Sequence, residues 1–165
     1  DGAQRIAAWL RERLPDEQPQ VLCHGDYKLD NALFSTDLPP RLLAVVDWEM
    51  ASVGDPIVDL CWMLVFHPGE GGLMPLGTGR EPRLDTRSVP SADEVVARYA
   101  QRSGRDVSAI GWYHVFSRWK MAIVLEGSYA KFQKGLSDNP LHELFGKQAD
   151  RLLDSAEQLA DAQGA

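Results

Sequence analysis

Long apolar runs are missing from this chain of 165 residues. The longest, Leu60–Phe66, falls far short of the roughly 20 residues a membrane helix requires, so no membrane partner is expected. Cysteine is scarce. Cys23 and Cys61 each sit in an apolar segment, which reads as two buried thiols in a cytoplasmic protein rather than a disulfide framework. With no CxxC motif and no Cys/His cluster, the usual zinc sites are excluded. Positive charge is also in short supply. Lys and Arg number 17 against 24 Asp and Glu, a formal net charge of −7, so no nucleic-acid partner is expected. The glycines between Gly69 and Gly79 are not followed by Lys-Ser/Thr, which removes a P-loop. The opening DGAQRI has neither an initiator Met nor a signal pattern, and reads as the middle of a longer chain cut at a helix.

What is present fits one domain, or one lobe of a larger protein, with a real core. Asp1 reads as a helix cap, and Ala3–Leu14 as a helix with Ile6, Trp9, Leu10 and Leu14 inward, ended by Pro15. Gln20–Cys23 reads as a strand and His24–Asn31 as a loop. Ala32–Phe34 and Leu42–Val46 form a β-hairpin around the Pro-rich Ser35–Arg41. Met50–Pro56 is expected as loop and Ile57–Phe66 as a buried helix, with Asp59 in its first turn. Residues 67–90 are Gly/Pro-rich and read as a loop insertion, either a substrate-side lid or a plain disordered segment. Ser91 or Asp93 caps a helix that runs to Ser103 and is closed by Gly104. Val107–Lys134 carries a long helical pattern, with Ile110, Tyr113, Phe116, Trp119, Ile123 and Tyr129 inward. Leu141–Ala160 is a last amphipathic helix. His67 and His142 read as surface or loop residues. The fold class is α+β, mostly helical, with one small hairpin; residues 1–62 form a core of motifs and 91–165 a helical subdomain.

The hairpin gathers chemistry. Asn31 precedes its first strand and Asp47 follows its second, eight residues to either side of Pro39. Strand ends joined this way are neighbours, about 4.8 Å apart. An amide oxygen beside a carboxylate is a hard-oxygen pair suited to Mg²⁺, which takes one or two protein carboxylates and fills the rest with water and phosphate oxygens. Asp26, on the loop leading to Asn31, is placed to accept a proton from a substrate hydroxyl. Lys28, two residues on, supplies positive charge for a phosphate.

These residues resemble a known family. HGDYKLDN matches the His-x-Asp-x-x-x-x-Asn catalytic loop of protein-kinase-like enzymes. Its His-Gly-Asp form resembles the aminoglycoside phosphotransferase and choline kinase branch. VVDWE stands where kinases carry a metal-binding Asp-Phe-Gly, and GDPIVDL looks like the element that follows. The later VARYAQRSGRDVSAIGWYHVFSRWKMAIVLEGSYAKF is similar to phosphotransferase domains found alone in actinobacteria or fused to acyl-CoA dehydrogenases.

The resemblance implies ATP-dependent phosphorylation of a small-molecule hydroxyl, with Mg²⁺ and with ATP as co-substrate. It implies Asp26 as catalytic base, Asn31 and Asp47 as Mg²⁺ and nucleotide-phosphate ligands, and Lys28 on the transferred phosphate. His24 would brace the catalytic loop. Asp55 or Asp59, with Asp59 favoured, would hydrogen-bond that loop from the next helix. Glu49 would sit near the metal or at the substrate mouth. The family's N-terminal nucleotide lobe, with its Gly-rich hairpin and strand lysine, has no counterpart here, so the chain is expected to be the C-terminal lobe alone and to have negligible activity by itself. A non-catalytic kinase-like binding module is the alternative.

Overall fold

The computed structural model describes residues 2–68 and 89–164. The expected cap at Asp1 and the lid or disordered segment over 67–90, apart from its two ends, lie outside the described residues.

Helix α1 spans Gly2–Glu12 and buries Ile6 and Leu10, one turn apart. It stops before Leu14, which is 72% exposed rather than inward. The ring of Pro15 disfavours helical dihedrals at the residue before it. Strand β1, Val21–Cys23, follows. Its partner is β4, Ser52–Gly54, paired antiparallel with Leu22 opposite Val53. The sequence reading placed a loop at Met50–Pro56. A three-residue strand holding Ser and Gly has no alternation to display, and its partner is distant in sequence.

The expected hairpin forms from β2, Ala32–Phe34, and β3, Leu42–Val45. Ala32 faces Val45, and a register irregularity lies between Leu33 and Phe34. The Val46 N–H donates to the Asn31 carbonyl at 2.9 Å. Asn31 is therefore opposite Val46, and Asp47 is one residue further out than symmetry about Pro39 predicts.

Helix α2, Ile57–Val65, buries Ile57, Leu60, Cys61, Trp62, Leu64 and Val65. Helix α3, Ala92–Ser103, starts on a capping box. The Ser91 hydroxyl accepts from the Glu94 N–H at 3.2 Å, and the Glu94 carboxylate accepts from the Ser91 N–H at 2.7 Å. Gly104 closes the helix in the left-handed conformation, φ 70°.

Helix α4, Ile110–Gln133, begins three residues later than expected. Asp106 accepts from the Ser108 N–H and hydroxyl, at 2.8 and 2.9 Å, which holds the preceding residues in a turn. Ile123 is exposed, because the inward stripe at this point is Arg118, Ala122 and Leu125. Helix α5, Leu141–Ala162, packs along α4.

Two clusters make up most of the core. Trp62, Val65, Met121, Ala122, Leu125, Ala149 and Leu152 join α2, α4 and α5. Ile6, Leu10, Val115, Ala156 and Ala160 join α1 to α4 and α5. Trp112 and Trp119 flank the second cluster and donate their indole N–H groups to α1 carbonyls, Leu10 at 3.0 Å and Ala3 at 2.9 Å. Both cysteines are buried free thiols. Desolvation by burial pushes Cys61 up to about 12, which keeps it neutral. His67 is buried, not superficial, and its Nε2 lies 2.8 Å from the Pro90 carbonyl. No helix among the described residues is long and apolar enough to cross a membrane.

Candidate active site

The β1–α2 region builds the site from backbone outward. Cys23 ends β1, and the chain turns sharply at Gly25, φ 84°. A Cβ at Gly25 would stand 2.3 Å from the Met50 carbonyl oxygen. Glycine is therefore needed both for the dihedral and for the close approach. The turn is held from α2: the Asp59 carboxylate accepts from the His24 N–H at 2.5 Å and the Gly25 N–H at 2.9 Å. His24 is buried, with Nε2 2.8 Å from the Val46 carbonyl and Nδ1 accepting from the Asp26 N–H at 3.3 Å. An Nδ1 that accepts leaves the proton on Nε2, which donates to Val46. His24 thus links the Asp26 loop to the end of the hairpin.

Three donors converge on Asp26. The Trp62 indole N–H reaches Oδ1 at 2.9 Å. Lys28 Nζ and Asn31 Nδ2 reach Oδ2 at 2.6 and 3.2 Å, and Asn31 Nδ2 also donates to the Asp26 carbonyl at 2.9 Å. Burial pushes the Asp26 carboxyl up, but the Lys28, Trp62 and Asn31 hydrogen bonds and the Lys28 charge together outweigh it. The group is held below the ordinary aspartate value and is a carboxylate at neutral pH.

Asp47 is built differently. It sits at φ 66°, ψ 56°, in the left-handed region that Asp tolerates better than most residues, at the start of the 3-10 turn Trp48–Met50. It is exposed, and its carboxylate has no hydrogen bond or ion pair among the described residues. Asn31 spends its Nδ2 on Asp26, so its amide oxygen is the end left for a cation. No cluster of three His, Cys, Asp or Glu exists among the described residues. A pair made of one amide oxygen and one open carboxylate is nonetheless the donor set that Mg²⁺ uses when phosphate and water complete its shell.

The comparisons with known proteins decide the family. Residues 2–110 match the family described as the phosphotransferase enzyme family. The chain belongs to that family. A crystal structure from Ralstonia eutropha JMP134, provisionally assigned as an aminoglycoside phosphotransferase, superposes with a TM-score of 0.80 at 27% identity, over 98% of this chain and 49% of that one. Acyl-CoA dehydrogenase family member 10 of Mus musculus is 26% identical over 98% of this chain and 15% of its own length. Family member 11 of Rattus norvegicus is 31% identical over 79% of this chain and 17% of its own length. The chain therefore spans about half of the solved relative and a fifth or less of these curated ones. Its fold is the kinase-like α+β fold of aminoglycoside phosphotransferases, as expected.

Within this phosphotransferase domain, Asp26, Lys28 and Asn31 form one hydrogen-bonded group, with His24 and Asp59 behind it. Asp55 does not reach the loop. Its Oδ1 accepts from the Ile57 N–H at 2.9 Å and its Oδ2 from the Tyr113 hydroxyl at 2.6 Å, which ties α2 to α4. Glu49 lies exposed on the turn after Asp47.

Sequence reasoning missed Trp62. It is three residues after Asp59, so both face the loop from one side of α2, and that spacing was the available signal. Also missed was a cavity of about 300 Å³ beside Asp26 and Lys28, formed by α2, α4 and α5.

Proposed function

We propose that this domain carries the catalytic half of an ATP-dependent phosphotransferase acting on a small-molecule hydroxyl. The observation that carries this reading is the Asp26 carboxylate, kept ionised by three donors at the mouth of a cavity. The acceptor hydroxyl gives its proton to Asp26 as its oxygen bonds the γ-phosphorus. The bond from that phosphorus to the bridging oxygen breaks, and ADP leaves. Lys28 holds Asp26 at rest and is placed to turn to the transferred phosphoryl group. His24 and Asp59 fix the loop that presents both. The residues that would hold Mg²⁺ are Asn31, through its amide oxygen, and Asp47. When bound, the cation would neutralise developing charge on the phosphate oxygens.

The nucleotide lobe belongs, in this reading, to a further part of the catalytic unit. Two findings support that. The solved relative is about twice as long. The short strands also leave Leu22, Val53, Leu33, Phe34, Leu42 and Leu43 at least half exposed, more apolar surface than a free face tolerates well. A cytoplasmic setting suits the buried thiols.

The test is Asp26→Asn in the longest natural form of the chain. Transfer from ATP to an accepted alcohol should fall by about 100-fold or more, with ATP affinity within about threefold. Retained turnover would overturn the role given to Asp26. The 165-residue chain alone should show negligible transfer.

A further inference from the structure

The cavity beside Asp26 has an uneven character. One end carries Asp26, Lys28 and Asp30. The walls are Trp62, Phe66, Met121, Val124, Leu125 and Leu152. Such walls suit aliphatic or aromatic carbon. They offer almost nothing to a polyol or polyamine, whose many polar groups would each lose water without a partner. At about 300 Å³ the space is at the lower end for a small-ligand site.

One polar group breaks the apolar wall. Gln148, on α5, also lines the cavity. It is 8% exposed, and its amide oxygen is buried with no hydrogen-bond partner. It occupies the inward face of α5 beside Ala149 and Leu152, a face otherwise given to core residues. Buried polar side-chain atoms nearly always have a partner. Gln148 lines the cavity, but its unpaired oxygen is shielded from the open space. With the side-chain amide turned about its last torsion, that acceptor would meet a ligand's donor at the same site as the ionised Asp26 carboxylate.

We propose that Gln148 is a specificity-determining residue, and that the acceptor is an alcohol on a mainly apolar body that also bears an N–H or O–H donor. The hydroxyl faces Asp26, the apolar body lies against Trp62, Phe66 and Leu152, and the Gln148 amide turns so that Oε1 accepts from the donor. This inference rests on the phosphotransferase reading only for the direction in which the hydroxyl points.

The experiment uses a homologous series of ω-hydroxyalkanamides and the matching methyl esters, with binding measured by calorimetry on the longest natural form of the chain. The amides carry N–H donors and the esters do not. In the chain length that fits, the amide should bind at least ~10-fold tighter, because a buried acceptor left unpaired discriminates strongly. Gln148→Met, similar in volume, should bring the amide-to-ester ratio to about one by removing the acceptor. Val124→Trp, at an exposed position on the rim, should weaken both ligands together, and it reports on the cavity even if Gln148→Met does not fold. Equal binding of amide and ester, or tighter binding of sorbitol or kanamycin than of every amide, overturns the proposal. Phosphoryl transfer from ATP is scored separately. Amide selectivity without transfer to any alcohol would sink the phosphotransferase reading and leave Gln148 standing. Transfer to other alcohols without amide selectivity would do the reverse.

Discussion

Asp26 lies on the loop that leads into the small hairpin and Asp47 just beyond its second strand, yet they are built in opposite ways. Asp26 is set by its neighbours: Trp62, Lys28 and Asn31 donate to it, and His24 and Asp59 hold its loop. Asp47 is exposed, stands in a left-handed conformation and has no partner among the described residues. A proton acceptor works best when its position and charge are fixed before substrate arrives. A cation ligand can stay open, because the ion itself supplies the partner. The difference between the two carboxylates thus matches the division of labour proposed for them.

Gly25→Ala should break the Asp26 side most severely. It places a Cβ 2.3 Å from the Met50 carbonyl at a positive φ, and strain plus overpacking should cost about 3 kcal/mol or more in chemical unfolding. Asp59→Ala comes next. It strips a carboxylate from two backbone N–H groups, with an expected loss of about 2–3 kcal/mol and a further loss of turnover. Trp62→Phe keeps the core filled and removes one of the bonds that lower the Asp26 pKa. The acid limb of kcat/KM should then move to higher pH. The sign follows from the direction of the native shift. A depressed carboxyl loses its advantage as pH falls through its folded value, and weakening that depression brings the loss sooner. Asp47→Ala should have the smallest effect on folding, with a Tm within ~2 °C of the parent. A large loss there would mean that Asp47 is a structural residue and would collapse the contrast with Asp26.

The sequence shows one carboxylate's surroundings better than the other's, and for a physical reason. The hairpin is legible because turn-forming residues bracket short apolar runs, and the spacing of Asp26 and Asn31 survives as a local motif. Strand β4 is hidden because Ser52–Gly54 pairs with β1, about thirty residues away, and three residues carry no period. Trp62 reads as one more apolar residue in a buried helix, and only the phase of α2 turns its N–H towards Asp26. Gln148 is hidden in a similar way, since amphipathic patterning says which face is inward but not what that face meets. The start of α4 moves by three residues because the Asp106–Ser108 turn competes with helix there. The exposed faces of the short strands show as ordinary hydrophobic segments, and nothing local states that they lack cover.

Metal dependence measures the contrast most directly. Turnover of the longest natural form of the chain would be followed against Mg²⁺ concentration for the parent, Asp26→Asn and Asp47→Asn. If Asp26 takes the proton and Asp47 holds the cation, Asp47→Asn should raise the half-saturating Mg²⁺ by about tenfold or more, an effect within the usual range for lost charge-assisted contacts. Asp26→Asn should leave that concentration unchanged while lowering kcat at every Mg²⁺ level. Equal shifts in both variants, or a shift in Asp26→Asn alone, would contradict the account.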